Sequence, residues 1–436
     1  MEPTESPPHA SKPAAAPRGS VVRNESTIFL VGVIAIAVHI VDDSFLQPEA
    51  GTEAADHLVS GFVPLVVLAL AALGYPRLRA GARVVLALGV GLFGVVVGAS
   101  EGAYHAVNGG FSDDDFTALL ALLGGLLLVG LGAVVLWKTR RLDDPRRLRY
   151  LRRSLIGVAA IIIGLQFVFP VLFSYGYTHY GGSDESPADL GISHEDVSFE
   201  TSDGLTLSGW YVPSQNGAAI VVLPAGGRSE GHEHVKMLAR HGYGVLIFDP
   251  RGTGESEGDP YRWGGEQDVE AALDYLQSRP DVDPDRIGGL GLSLGGELMV
   301  ETASNTDALK AVVSEGAGIR SIREQMVKSG PAMWLSLPFW ATQTAATAVF
   351  SNQMPPPNLQ DCVARIAPRP VFLIYSGHPV GGEELNADFY DAASEPKTLW
   401  EIPEASHTGG LAARPEEYEQ RVVSFFDDAL LPGSAQ

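Results

Sequence analysis

The chain has 436 residues and sets 30 Lys and Arg against 52 Asp and Glu, a formal net charge of −22. An acidic balance of that size argues against a nucleic-acid partner and against anionic lipid headgroups, because both carry repelling phosphate. A single cysteine, Cys362, excludes any internal disulfide.

The charge divides the chain. Residues 1–180 hold 14 basic and 14 acidic side chains, so the whole excess falls on residues 181–436, where 16 face 38. Residues 1–22 are rich in Pro, Ala and Ser and are expected to form a disordered tail. A cleaved signal peptide fits poorly, since more apolar stretches follow and no clear cleavage site precedes them.

Residues 23–180 read as an all-α bundle of about five transmembrane helices. The apolar stretches are Thr27–Val41, Leu58–Tyr75, Val84–Ser100, Phe116–Trp137 and Leu155–Tyr175. The first is short and carries His39. Lys12, Arg18 and Arg23 precede the first stretch, Arg77, Arg79 and Arg83 follow the second, and a run from Lys138 to Arg153 follows the fourth. The loops Asp42–Asp56 and Glu101–Asp115 contain no Lys or Arg. The positive-inside rule then puts the N-terminus in the cytoplasm of a cell membrane and, after five crossings, the remainder outside. If the first stretch does not cross, that orientation inverts. At the outer ends of these stretches lie His39, Asp42, Asp43, His57, Glu101 and His105. Imidazole and carboxylate groups at such spacings could hold a zinc-like ion, or could simply pair with each other at the interface.

From 181 to 436 the pattern alternates between strand and helix, and the predicted fold class is α/β with a mostly parallel sheet. Val197–Thr201 and Leu205–Val212 flank an Asp203-Gly204 turn and read as a hairpin. Strand Ile220–Leu223 runs into Pro224-Ala225-Gly226-Gly227. Helix Glu233–His241 leads to strand Gly244–Phe248 and the turn Asp249-Pro250-Arg251-Gly252-Thr253-Gly254-Glu255-Ser256. Helix Glu266–Ser278 precedes Arg286–Gly296, which reads as a buried strand entering Gly291-Leu-Ser293-Leu-Gly295 and then a helix. A turn that tight admits almost no side chain two residues either side of the serine, so the pattern predicts a nucleophile elbow with Ser293 exposed at its tip.

Ala311–Ser314 is the next strand. After strand Pro370–Tyr375 comes a loop that ends in Glu383 and Glu384, and after strand Thr398–Ile402 comes His407. The order Ser, acid, His is that of a hydrolytic relay in which His407 is the base and either Glu383 or Glu384 orients it. Leu294, with Gly226 or Gly227, can supply backbone N–H groups to an oxyanion; the two glycines also suit a plain turn.

As an ordered set, the hairpin, the early glycine loop, Asp249-Pro250-Arg251-Gly252, Gly291-x-Ser-x-Gly and His407 resemble an α/β-hydrolase. The nearest branches by resemblance are prolyl oligopeptidase and dienelactone hydrolase. The likeness covers roughly the last 240 residues. It implies Ser293 as nucleophile, His407 as base and Glu383 or Glu384 as acid. Two departures stand out: Pro224-Ala225 replaces the usual His-Gly, and glutamate replaces the common aspartate. Residues 319–357 interrupt the pattern with Trp334, Phe339, Trp340, Phe350 and Met354, and the resemblance implies a cap over the site. The same aromatics could instead form the cap's own core or rest on a membrane surface.

The expectation is a membrane-anchored serine hydrolase without a cofactor, acting on a small-molecule ester. A prolyl-oligopeptidase-type peptidase is the alternative enzyme. A membrane sensor or transport module with a binding-only hydrolase-like domain is the alternative from another class.

Overall fold

The computed structural model describes residues 18–46, 58–108, 115–138, 145–179, 190–258, 263, 265–329 and 333–431. The chain forms two compact units. One comprises the described residues up to Asp42 with Phe62–Ala160, the other those of Asp43–Gly61 with Ile161–Gln436.

The apolar half is helical: α1 (Arg18–Val41), α2 (Leu58–Gly74), α3 (Ala80–Asn108), α4 (Asp115–Lys138) and α5 (Arg146–Ile163). A π-helical turn, Gly164–Val168, carries α5 on into α6 (Phe169–His179). In the first unit α3 and α4 approach until backbones touch. A Cβ on Gly125 would come within 2.6 Å of the Gly91 carbonyl oxygen, and one on Gly98 would run into the Ala118 carbonyl. Small residues at helix contacts permit such packing where no water drives association.

Among the described residues, four segments are long and apolar enough to cross a membrane: Arg23–Leu46, Ala80–Ala99, Phe116–Lys138 and Tyr150–Thr178. The short stretch is therefore the second and not the first. Helical turns carry the first past Val41 to Leu46, whereas α2 has 17 residues and Pro64 inside it.

The second unit is built on an eight-stranded sheet in the order β1-β2-β4-β3-β5-β6-β7-β8. Its strands are β1 (Glu195–Glu200), β2 (Thr206–Val212), β3 (Ala219–Leu223), β4 (Gly244–Phe248), β5 (Ile287–Leu292), β6 (Ala311–Glu315), β7 (Val371–Ser376) and β8 (Lys397–Ile402). β2 pairs antiparallel with β1 and with β4, and every other pair is parallel. Strands β3 to β6 are buried at every position. That explains why they read as unbroken apolar runs: helices cover both faces.

The covering helices are α7 (His232–Arg240), α8 (Glu266–Gln277), α9 (Leu294–Asn305), α10 (Ile322–Ser329), α11 (Met333–Phe350), α12 (Leu359–Val363), α13 (Asn386–Ala392), α14 (Gly410–Ala413) and α15 (Pro415–Leu430). Val269, Leu276, Met299 and Phe389 close one face of the sheet from α8, α9 and α13. Val235, Leu238, Val422 and Phe426 close the other from α7 and α15. α10 and α11 occupy the expected cap insert between β6 and β7. The division between units falls at Ala160, inside α5, because α6 lies along α11. The expected junction at 180 and 181 lies outside the described residues.

Phe426 is fully buried and rests on Gly288 of β5, where a Cβ would sit 2.8 Å from its ring. Phe426→Ala should destabilise the sheet unit by about 3–5 kcal/mol, read as a lowered denaturant midpoint of the full chain.

Candidate active site

Ser293 follows β5 directly and serves as the cap residue of α9, with φ 55° and ψ −119°. A non-glycine residue at such φ is strained and persists only where its surroundings dictate it. Here they do. A Cβ on Gly295 would run into the carbonyl oxygen of Leu223 on β3, and one on Gly291 into the backbone of Gly295. The Ser293 N–H donates to the Glu315 carbonyl at 2.7 Å, which pins the turn to β6. The hydroxyl is left half-buried at the carboxyl end of the sheet.

His407 reaches that hydroxyl from the loop after β8, with Nε2 at 2.9 Å from Oγ of Ser293. Its Nδ1 is hydrogen-bonded to Oε1 of Glu383. Glu383 is fully buried, and its other oxygen accepts the backbone N–H of Ser376 at 3.0 Å and the Ser376 hydroxyl at 2.8 Å. Glu384 is exposed, so of the two adjacent carboxylates Glu383 is the one on the imidazole. The turn before it places Gly382 at φ 98°, and Asn386 fixes it behind by donating to the Glu383 carbonyl at 2.8 Å.

Charge follows geometry. The Glu383 hydrogen bond holds the His407 imidazole above its ordinary 6.5, against the pull of burial, and the charges of Glu383, Glu315 and Glu297 act the same way. Burial alone would raise the Glu383 carboxyl, but the hydrogen bonds from His407 and Ser376 hold it below the usual carboxylate value. A serine hydroxyl, an imidazole and a buried carboxylate so linked can pass a proton from Oγ to Nε2 while the carboxylate stabilises the imidazolium.

The structure adds Glu315, which the sequence reading did not single out. This buried carboxylate ends β6 beside the elbow, accepts the Gly410 N–H at 2.8 Å and accepts the Tyr418 hydroxyl at 2.6 Å. It thereby ties the His407 loop to β6 and to α15. Burial pushes its carboxyl up, against those two hydrogen bonds. A glutamate closing an apolar strand next to the serine strand was the available signal. His234 lies 3.9 Å from it, yet burial pushes that imidazole down to about 4, so the two form no ion pair near neutrality.

The early glycine loop is held from below. Asp249 accepts the Arg228 backbone N–H at 2.9 Å and its Nε at 3.0 Å, and the Arg228 guanidinium lies 4.6 Å from the Trp210 ring centre. The Asp249-Pro250-Arg251-Gly252 motif thus anchors the loop after β3. Leu294 opens α9, as the oxyanion expectation needs, and Gly227 precedes the turn Arg228–Gly231. Gly226 differs: its N–H donates to the Glu230 carboxylate at 3.1 Å.

A cavity of about 230 Å3 is walled by Leu294 of α9, by Ile319, Trp340 and Thr347 of the insert and by Phe173 and Tyr177 of α6. Two charged groups face it. Glu297 accepts the Gly318 N–H at 3.1 Å and pairs with Arg320 at 3.2 Å, and Arg320 also pairs with Glu301 at 2.5 Å.

The candidate metal ligands do not assemble among the described residues, where no group of three or more His, Cys, Asp or Glu side chains could hold an ion. His39 and Asp42 both meet Thr117 of α4, whose hydroxyl donates to Asp42 at 2.8 Å and lies 3.4 Å from His39 Nδ1. A hydroxyl bridge takes the place of the expected ligand pair. His57 and the side chains of Glu101 and His105 lie outside the described residues.

The chain is 28% identical over 255 residues to the uncharacterized protein YfhR of Escherichia coli (strain K12), covering 55% of this chain and 83% of that one. It is 28% identical over 206 residues to the alpha/beta hydrolase domain-containing protein WAV2 of Arabidopsis thaliana, covering 46% of this chain and 58% of the relative. Among solved structures, the Pyrococcus furiosus esterase Pf2001 superposes with a TM-score of 0.45 at 23% identity, over 57% of this chain and all of that one. The X-Pro dipeptidyl-peptidase (S15 family) profile matches residues 168–397, more than half of the chain and a stretch holding both Ser293 and Glu383. With its α/β-hydrolase sheet, the chain belongs to that S15 family of hydrolases.

Proposed function

We propose that the protein is a membrane-anchored serine hydrolase that cleaves carboxylic esters with no cofactor. The observation that carries this reading is the linked set Ser293–His407–Glu383, with the serine strained at the tip of its elbow. Ser293 Oγ attacks the ester carbonyl carbon as His407 takes the hydroxyl proton; the acyl–Oγ bond forms, the bond to the alcohol breaks, and His407 returns the proton to the departing alkoxide. Water then attacks the acyl-enzyme by the same route and releases the acid. The Leu294 N–H is one oxyanion donor, and Gly227 is the better second donor because the Gly226 N–H is engaged by Glu230.

The ester reading rests on the cavity. A peptidase that gripped a substrate's amino terminus would need an uncommitted carboxylate there, and Glu297 is already held by Gly318 and Arg320. The S15 match favours the second reading, an aminopeptidase releasing X-Pro dipeptides. Turnover of an X-Pro aryl amide faster than of an aryl ester would establish that one instead.

For the anchor, the proposed division is a membrane module over 23–180 and the hydrolase over 181–436, with α1 already begun at Arg18, inside the expected tail of residues 1–22. All five apolar helices cross, α2 included: its 17 residues reach about 26 Å, near the lower limit for a span. Only that crossing separates the loop lacking Lys and Arg before α2 from Arg77, Arg79 and Arg83 after it. The hydrolase then lies outside the cytoplasm. Asp307, whose side chain is 96% exposed, offers a test. A Cys there should be labelled by an impermeant maleimide in intact cells, and protection until lysis would place the domain inside.

A fluorophosphonate probe should label the wild-type chain in detergent, and Ser293→Ala should abolish labelling. Ester turnover should fall on the order of 10^4-fold in Ser293→Ala and His407→Ala. Absence of labelling in well-folded wild-type protein would end the serine-hydrolase reading. The base must be neutral, so kcat/KM should rise with pH through a midpoint above 6.5, the direction in which His407 is shifted. Glu383→Gln should bring that midpoint down and cut kcat by about 10^3–10^4-fold; an unmoved midpoint would remove Glu383 from the relay.

A further inference from the structure

The cap insert does not stand alone over the site. α11 packs along the π-helical turn and α6, the end of the last apolar segment. Phe339 stacks on Phe169 with ring centres 6.2 Å apart, Gln166 donates to the Leu335 carbonyl at 3.0 Å, and the Thr347 hydroxyl donates to Ser174 at 3.0 Å. Neither partner carries charge: no Asp, Glu, Lys or Arg occurs from Ser154 to Thr178 or from Met333 to Phe350. At 18 residues α11 is about 27 Å long, close to the thickness of a hydrocarbon core.

The outer side of this pair is apolar and bare. Trp334 and Leu335 at the start of α11 are 73% and 79% exposed, and Ile161, Leu165, Phe167 and Phe169 are exposed beside them. Soluble surfaces rarely keep so many large apolar groups contiguous, because each costs about 25 cal/mol per Å2 left in water. One half of the pair belongs to Tyr150–Thr178, which is long and apolar enough to span a bilayer, so the surface that continues from it is matched by lipid. The cavity lined by Leu294, the residue after Ser293, has walls on these same two helices, Phe173 and Tyr177 on α6 and Trp340 and Thr347 on α11.

Size and charge narrow what enters. At about 230 Å3 the cavity is below the roughly 300–1,000 Å3 that encloses a whole small ligand, so it accepts one chain while the rest of the molecule stays outside. Its one cation among the described lining residues, Arg320, lies 3.2 Å from Glu297 and 2.5 Å from Glu301, so two carboxylates oppose any phosphate drawn to one guanidinium. The acidic excess of residues 181–436 also disfavours an anionic headgroup.

We infer that α11 and the end of the last apolar segment lie together in the bilayer, and that Ser293 receives from the lipid phase an uncharged acyl ester whose chain enters between them. This rests on the ester-hydrolase reading above and specifies its substrate class.

The test uses the full chain in phosphatidylcholine vesicles, with a long-chain monoacylglycerol dissolved in the bilayer and p-nitrophenyl butyrate in the water. Trp334→Gln with Leu335→Gln should slow the vesicle-borne ester about 10-fold and leave the soluble ester unchanged. An environment-sensitive fluorophore on Leu335→Cys, in a Cys362→Ala background, should be quenched by nitroxide-bearing phosphatidylcholine; the same label on Asp307→Cys should not. An unquenched label at 335 overturns the inference. So does equal loss, or no loss, on both esters in the double variant, and so does equal turnover of a phosphatidylglycerol acyl ester. Soluble-ester turnover with fluorophosphonate labelling but no vesicle turnover would sink this inference alone. Absence of both labelling and soluble-ester turnover would sink the hydrolase reading with it.

Discussion

The close approach of α9 to β3 is the constraint on which the rest depends. Helix and strand meet where Gly295 lies against the Leu223 carbonyl, and no side chain fits between them. That contact forces the chain to leave β5 and enter α9 within one residue, Ser293, at a φ that a serine otherwise avoids. The strain is local while its support is distributed: β3 and β6 flank β5 in register, Leu223 opposite Gly291 and Glu315 opposite Leu292. The hydroxyl is therefore fixed by the sheet itself, which is a stiffer mount than any loop.

His407 has no such mount, and carboxylates provide one. Its loop is tied to β6 through the Gly410 N–H on Glu315, and its ring is tied to β7 through Glu383 and Ser376. Two buried carboxylates near one imidazole raise its proton affinity, and each must be satisfied to stay charged away from water. Ser376 serves Glu383, and Tyr418 serves Glu315. The polar network thus orients the imidazole and raises its proton affinity at once, which an apolar packing of the same loop would not do.

Much of this was legible in the sequence because it is local. The elbow needs glycines at fixed offsets from Ser293, and the acid and the histidine follow successive strands, so order alone pointed to His407 and to the adjacent pair Glu383 and Glu384. The strands were legible for the same reason: full burial writes itself as an apolar run. What stayed hidden depends on partners distant in the chain. Nothing in the letters around Glu383 and Glu384 tells which is turned inward; the left-handed Gly382 and the Asn386 hydrogen bonds decide that. Glu315 is one acidic residue among 52 until the sheet sets it beside the elbow. His39 and Asp42 share a helical spacing suited to a metal, and only the fold brings Thr117 to them. The apolar insert could have been a core or a surface, since hydrophobic periodicity names a buried face without naming what covers it.

Topology explains how such an insert can exist without cost to the sheet. In an open parallel sheet the carboxyl ends of the strands carry the site, and the connections leaving those ends are free to lengthen. α10 and α11 leave from β6 and return through α12 to β7, while the two hydrophobic faces close through α8, α9, α7 and α15. The core of the sheet unit resides in those faces. Because α11 finds its partner in α6, ahead of β1, the segment that leads into the hydrolase sheet also builds a wall of its pocket.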